Sequence, residues 1–120
     1  MRNNIKSNFM TVKLIGSFVF INQGYGVLSS VYHNNIATEP YPETAKRKKD
    51  SEETADLFEG MYSTIWLEVR DVDDRTDLEI TRQINGTYKL RWFDSKKTYY
   101  DGIGFLHDNK LVGSYWQVPA

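Results

Sequence analysis

The chain has no cysteine and only two histidines, His33 and His107. The first absence removes thiol nucleophiles, redox pairs, disulfide staples and every thiolate zinc site. The second removes an all-histidine metal site, so neither a metal nor another cofactor is expected. Charge of one sign is also missing: 15 Lys and Arg stand against 16 Asp and Glu, a formal net charge of -1 with a pI near 6.1. Nucleic-acid binders usually carry a marked basic excess, so nucleic acid is not an expected partner. Long apolar runs are absent too. The stretch from Phe9 to Ile21 is broken by Lys13, is too short to span a bilayer, and is followed by no small-residue cleavage site. The expectation is a cytoplasmic protein of bacterial or phage type that does not engage a membrane. Residues 1–9 are candidates for fraying, and Met10 is an alternative start.

The chain does have the composition of a globular domain. With 120 residues, 40% hydrophobic and 26% charged, it fits a single domain over 1–120, large enough to bury a core without disulfides or a structural metal.

From Val12 to Ile21 two faces alternate, with Leu14, Gly16, Phe18 and Phe20 on one and Ile15, Val19 and Ile21 on the other. Both are largely apolar, which predicts a strand covered on both sides at its end. Asn22 to Gly26 is turn chemistry, and Val27 to His33 reads as the return strand. Residues 34–56 then change character. Pro40 and Pro42 argue against regular ladders, and the basic run Lys46 to Lys49 is followed at once by Asp50 to Glu53. This reads as a long polar connection. Ser51 with Glu52 and Glu53 resembles a helix N-cap, and Gly60 a helix stop, which predicts one short helix in the 43–59 segment.

Beyond Gly60 the two-residue period is strong. Strands are expected at Met61 to Val69, Thr76 to Gln83, Thr87 to Phe93, Thr98 to His107 and Leu111 to Val118, with a tight turn at Asp108 and Asn109. The hairpin at Asn85-Gly86 can be read in more detail. A two-residue turn would set Glu79 opposite Trp92 and mix the faces. A three-residue loop of Ile84, Asn85 and Gly86 instead sets Leu78 opposite Trp92, Ile80 opposite Leu90 and Arg82 opposite Tyr88, with Gly86 in a G1 bulge. Lys89 and Arg91 then face outward. Gly102, Gly104 and Gly113 within strands predict sharp bending or the close approach of another backbone or ring.

The fold class that follows is mostly β: an antiparallel meander forming a small closed or nearly closed barrel of about 7–8 strands, with one short helix. A half-open sheet curled over that helix is the alternative. The pattern Phe58-x-Gly60-x-Tyr62, Gly86-x-Tyr88-x-Leu90-x-Trp92, Gly102-x-Gly104-x-Leu106 and Leu111-x-Gly113-x-Tyr115 resembles the meander of small calycin-type barrels, the avidin and lipocalin group, over residues 58–116. That resemblance implies an internal ligand site at one end of a barrel, and it carries over no individual binding residue.

Candidate ligand-binding residues are Trp66, Tyr88, Trp92, Tyr100 and Tyr115 on the meander, and His33 where the second strand meets a loop. Aromatic rings with a polar edge suit a pocket, although strand propensity and core filling account for the same residues. His107 reads as an exposed turn residue. Glu68, Asp71, Asp73, Asp74 and Asp77 gather near one turn with Arg70 and Arg75, and match no calcium loop. No catalytic set is recognisable. The expected function is a non-catalytic binding protein holding a small ligand at the mouth or interior of a barrel. The alternative is a protein-interaction module or homodimer, because Phe93, Phe105, Trp66 and Trp116 lack an obvious inward slot.

Overall fold

The computed structural model describes residues 13–49, 51, 55–67 and 73–119. Among them, eight antiparallel strands close into one barrel in chain order. They are β1 (Ile15–Gly24), β2 (Val27–Asn34), β3 (Tyr41–Arg47), β4 (Gly60–Leu67), β5 (Asp73–Arg82), β6 (Tyr88–Phe93), β7 (Thr98–His107) and β8 (Lys110–Gln117). Closure is made by β1 against β8, from Ile15 opposite Trp116 to Ile21 opposite Lys110.

The fold is all-β. The short helix expected in the 43–59 segment is not found among the described residues, and part of that segment is strand. Ser51, expected as the helix N-cap, serves another end, as does Asp56. Ser51 Oγ accepts a 3.0 Å hydrogen bond from the Met61 N–H, and Asp56 Oδ1 accepts from Phe58 and Glu59 N–H at 2.8 and 2.9 Å. Such side-chain-to-backbone turns compete directly with a helical ladder. Residues 50 and 52–54 lie outside the described residues, as do 1–9, Met10 and residues 68–72.

The prolines do not prevent a ladder either. Pro42 sits opposite Val31 at one end of β3, where pairing with β4 begins only at Glu43, so its missing N–H falls at a strand end. In the meander the expected register is observed: Leu78 faces Trp92, Ile80 faces Leu90 and Arg82 faces Tyr88. Gly86 at φ 86° donates to Gln83 O at 3.0 Å and closes the three-residue loop. Asp108 and Asn109, at φ 51° and 62°, form the tight turn between β7 and β8.

Inward residues form a single core of Phe18, Phe20, Leu28, Ala45, Tyr62, Leu78, Ile80, Leu90, Trp92 and Leu111 with their neighbours. The glycines within strands seat rings against this core. A Cβ on Gly102 would lie 3.1 Å from Trp92 Cζ3, one on Gly16 would lie 2.5 Å from Tyr115 Cε1, and one on Gly113 would lie 2.8 Å from Phe18 Cζ. The outer side of β1 is not covered as expected, with Ile15 51% and Ile21 39% exposed. A barrel has one inside, and no second layer packs on this face among the described residues.

One end of the barrel is plugged. Residues 55–59, leading into β4, place Phe58 fully inside the barrel, which contributes roughly 2–3 kcal/mol of apolar burial. The plug is held by polar bonds on several sides. Tyr62 Oη donates to Phe58 O at 2.8 Å, Tyr88 Oη to Asp56 Oδ2 at 2.7 Å, and Asn22 Nδ2 to Leu57 O at 2.6 Å. Burial works to raise the Asp56 pKa, but the bonds from Tyr88, Phe58 and Glu59, with Arg82 nearby, outweigh it and hold the carboxyl below its ordinary range. Its stabilisation is therefore present above the ordinary carboxylate range and is lost as pH falls through the depressed folded value. Asp56→Ala should cost about 1.5–3 kcal/mol in urea denaturation at neutral pH, with the deficit shrinking in acid. An unchanged midpoint would show that the plug does not depend on this carboxylate.

Candidate functional site

At the opposite end, where β1, β3 and β7 begin and β2, β6 and β8 finish, the barrel encloses a cavity of about 120 Å³. Its floor is formed by the buried side chains of Phe18, Glu43 and Trp92, and its walls by Tyr32, Tyr41, Tyr100 and Tyr115. Leu14, Asn34, Ile36 and Ala37 make the rim, with Ile36 largely exposed.

Tyr115 is the hub of the walls. Its ring centroid lies 6.2 Å from that of Tyr32 and 5.6 Å from that of Tyr100, each at an interplanar angle of 83°, and 5.8 Å from Trp92. These edge-to-face contacts fix the rings as a box rather than a stack. Two features hold Tyr115 in place. Gly16, directly across from it on β1, leaves room for the ring, and Asn34 Nδ2 donates to its hydroxyl at 3.0 Å. The same Asn34 turns its Oδ1 to the N–H groups of Ile36 and Ala37, at 3.0 and 2.7 Å. One side chain thus ties the rim loop to the wall.

Glu43 is the chemical centre of the site. Strand β3 alternates, so Glu43 and Ala45 both point inward and are buried while Thr44 and Lys46 point outward. Glu43 Oε2 accepts hydrogen bonds from Thr64 Oγ1 at 2.6 Å and Trp92 Nε1 at 2.9 Å. Among the described residues Oε1 accepts none. Burial pushes the Glu43 pKa up to about 7, with the bonds from Thr64 and Trp92 pulling the other way. Nearby in the same interior, Ser30 faces Glu43 across the β2–β3 ladder and Thr76 faces Thr64 across β4–β5. The hydroxyls of both Ser30 and Thr76 are buried with no hydrogen-bond partner among the described residues. A polar belt therefore crosses the barrel directly behind the aromatic mouth. A belt of this kind stabilises poorly by itself, since buried polar groups left unpaired are costly.

Three of the residues singled out from sequence, Trp92, Tyr100 and Tyr115, line this cavity together. Tyr88 does not. It is buried at the plugged end, where burial and its bond to the Asp56 carboxylate push its pKa up to about 12. His33 is on the outer face and exposed, with Nε2 3.2 Å from Ala37 O. Trp66 is opposite Glu43 in the β3–β4 ladder, and its side chain lies outside the described residues. His107 is exposed beside Asp108.

Of the charge clusters, described side chains engage other partners. Arg47 packs over the Tyr62 ring at 5.1 Å and Lys48 pairs with Asp77 at 2.8 Å. No group of three or more His, Cys, Asp or Glu suited to a metal ion occurs among the described residues. Sequence reasoning missed Glu43, Tyr32 and Tyr41 as site residues. The period-two run Tyr41-x-Glu43-x-Ala45, set just after a proline, was the available signal.

No protein-family model, curated protein or solved structure matches this chain. Its class is thus defined by architecture: a closed eight-stranded antiparallel barrel with one plugged end, one aromatic mouth and an acid in the floor.

The folded pKa of Glu43, about 7, lies above the ordinary 4.5. Its contribution to stability is therefore fully present below the ordinary value and is lost as pH rises through about 7. Glu43→Gln keeps the shape and cannot ionise. Relative to wild type, its folding free energy should improve between acid and mildly alkaline pH by on the order of a few kcal/mol. Parallel urea titrations across that range provide the check, and a pH-independent difference would contradict the assignment.

Proposed function

We propose that this chain is a non-catalytic binding protein that takes a small ligand into the mouth of a calycin-like barrel. The observation that carries the reading is the Glu43 carboxyl in the floor of the mouth cavity. It is buried, is held by Thr64 and Trp92 through one oxygen, and has the other oxygen without a hydrogen bond among the described residues. An interior acid costs stability, and perturbed carboxyls set in apolar concavities concentrate at functional sites. The aromatic walls supply area and directed hydroxyls around it. The other end of the barrel is packed solid, so the two ends divide stability from binding.

Thermal-shift screening against a library of metabolites and nucleotides should return ligands that stabilise the protein. Ala37→Trp, which fills the rim, should abolish those shifts while leaving the unliganded melting temperature nearly unchanged. A library without hits, or hits indifferent to Ala37→Trp, would remove the mouth as the site.

A second reading, a protein-interaction module or homodimer, is favoured by the outer face of the closure seam. Val19 of β1 lies between Val31 of β2 and Val112 of β8, and Phe105 of β7 lies beyond Val112. Val31 and Phe105 are 49% and 55% exposed. Contiguous apolar surface of this kind marks contacts. On this reading light scattering gives a dimer that Phe105→Ser returns to a monomer; a wild-type monomer at high concentration contradicts it.

A further inference from the structure

We infer that the ligand of the mouth cavity presents a compact organic cation, an alkylated amine or ammonium group, enclosed by Tyr32, Tyr41, Tyr100, Tyr115 and Trp92 with its charge toward Glu43. This rests on reading the mouth as a ligand site.

Charge is the first argument. Among the described residues that line the cavity there is one carboxyl and no lysine, arginine or histidine. Removing a carboxylate from water without an opposite charge is costly, and a bound cation returns that cost as a close ion pair. An anionic ligand would meet no positive group among the described lining residues, and a neutral one would leave an ionised Glu43 without an opposite charge.

The walls are the second argument. Aromatic faces carry negative charge density and attract cations, and their pull grows when water is excluded. Rings at 83° to one another around Tyr115 present faces and hydroxyls from several directions, as a cage for a roughly spherical group requires. Alkylated ammonium groups suit such a cage because their charge is spread over apolar carbon.

Size is the third. A cavity of about 120 Å³ is somewhat smaller than the roughly 150 Å³ engineered cavity that holds benzene, so it fits a head group of about five or six heavy atoms.

A pH dependence follows from linkage. Among the described residues that line the cavity, the other titratable groups are the phenols of Tyr32 on β2, Tyr41 on β3, Tyr100 on β7 and Tyr115 on β8. Thr64, Thr76 and Ser30, from β4, β5 and β2, are uncharged. Arg47, further along β3, is turned onto Tyr62 and the Glu59 carbonyl. Glu43 is the one carboxyl among the described residues that line the cavity. With its free pKa at about 7, a cation must displace a proton in acid and need not in mild alkali. Cation affinity should therefore fall as pH drops through neutrality.

The test is calorimetric titration with tetramethylammonium, choline, butylamine and the uncharged carbon isostere of choline, dimethylbutanol. It is paired with proton NMR of the ligand methyl groups. At least one cation should bind about tenfold or more tightly than dimethylbutanol in mildly alkaline buffer, a difference of about 1.4 kcal/mol. Its methyl signals should move upfield as the rings enclose them. The advantage should collapse in Glu43→Gln and at acid pH. Tyr100→Leu, which removes one wall and leaves the floor intact, should weaken the cation more than the isostere, and it serves if Glu43→Gln does not fold. Equal or tighter binding of dimethylbutanol, or a folded Glu43→Gln that keeps the full preference, overturns the cation and leaves the mouth as a ligand site. Failure of every probe and every library compound to bind overturns both.

Discussion

The pairing of β1 with β8 is the constraint on which the rest of the structure depends. Seven consecutive residues of β1, Ile15 to Ile21, face seven of β8, Trp116 to Lys110. This removes both free edges of the sheet and fixes which side of every strand is inside. Once the sheet is closed, each inward residue must fill a shared interior, and each end must be filled or left open. The chain treats the two ends differently. Phe58 and its polar clamp close one, whereas at the other the aromatic rings stand around a cavity instead of meeting across it. The glycines belong to the same economy of space, since Gly16, Gly102 and Gly113 admit rings to positions that a side chain would occupy.

Closure also makes Glu43 consequential. On an open sheet, a glutamate two residues into a strand would turn to solvent. Here the inward side of β3 has no solvent face, and the carboxyl is buried between Thr64 and Trp92. Folding carries that cost. It is offset only in part by two hydrogen bonds to one oxygen, which is why the carboxyl holds its proton to unusually high pH. A buried acid ringed by aromatic faces is poor design for stability alone and good design for recognising positive charge. The plugged end, with Asp56 fully engaged by Tyr88, Phe58 and Glu59, shows how the same chain satisfies a carboxylate when the purpose is structural.

Much of the barrel was legible in the sequence, for physical reasons. The β5–β6 register followed from keeping Leu78, Ile80, Leu90 and Trp92 on one face, because a one-residue slip would turn one strand's pair outward. The Asp108-Asn109 turn followed from residues that tolerate positive φ. The helix was misread because Ser51 can cap a turn or a helix equally well, and only the burial of Phe58 in the barrel decides between them. Strand β3 was missed because prolines were weighed as breakers, and a strand end tolerates them. That miss hid Glu43, whose inward direction exists only once β3 is recognised as a strand. Among the aromatics, sequence could not separate Tyr88 from Trp92. Both point inward from opposite ends of β6, and which of those ends is filled depends on where Phe58 packs.

The account stands most directly on the state of the Glu43 carboxyl, which carbon-detected NMR of the glutamate side-chain carboxyls can follow through a pH titration. With Glu43→Gln used to assign the signal, the Glu43 carboxyl should titrate with a pKa of about 7 in the free protein. A Glu43 midpoint in the ordinary range near 4.5 would mean that the carboxyl is solvated, and the aromatic mouth would lose the buried acid on which its proposed function depends.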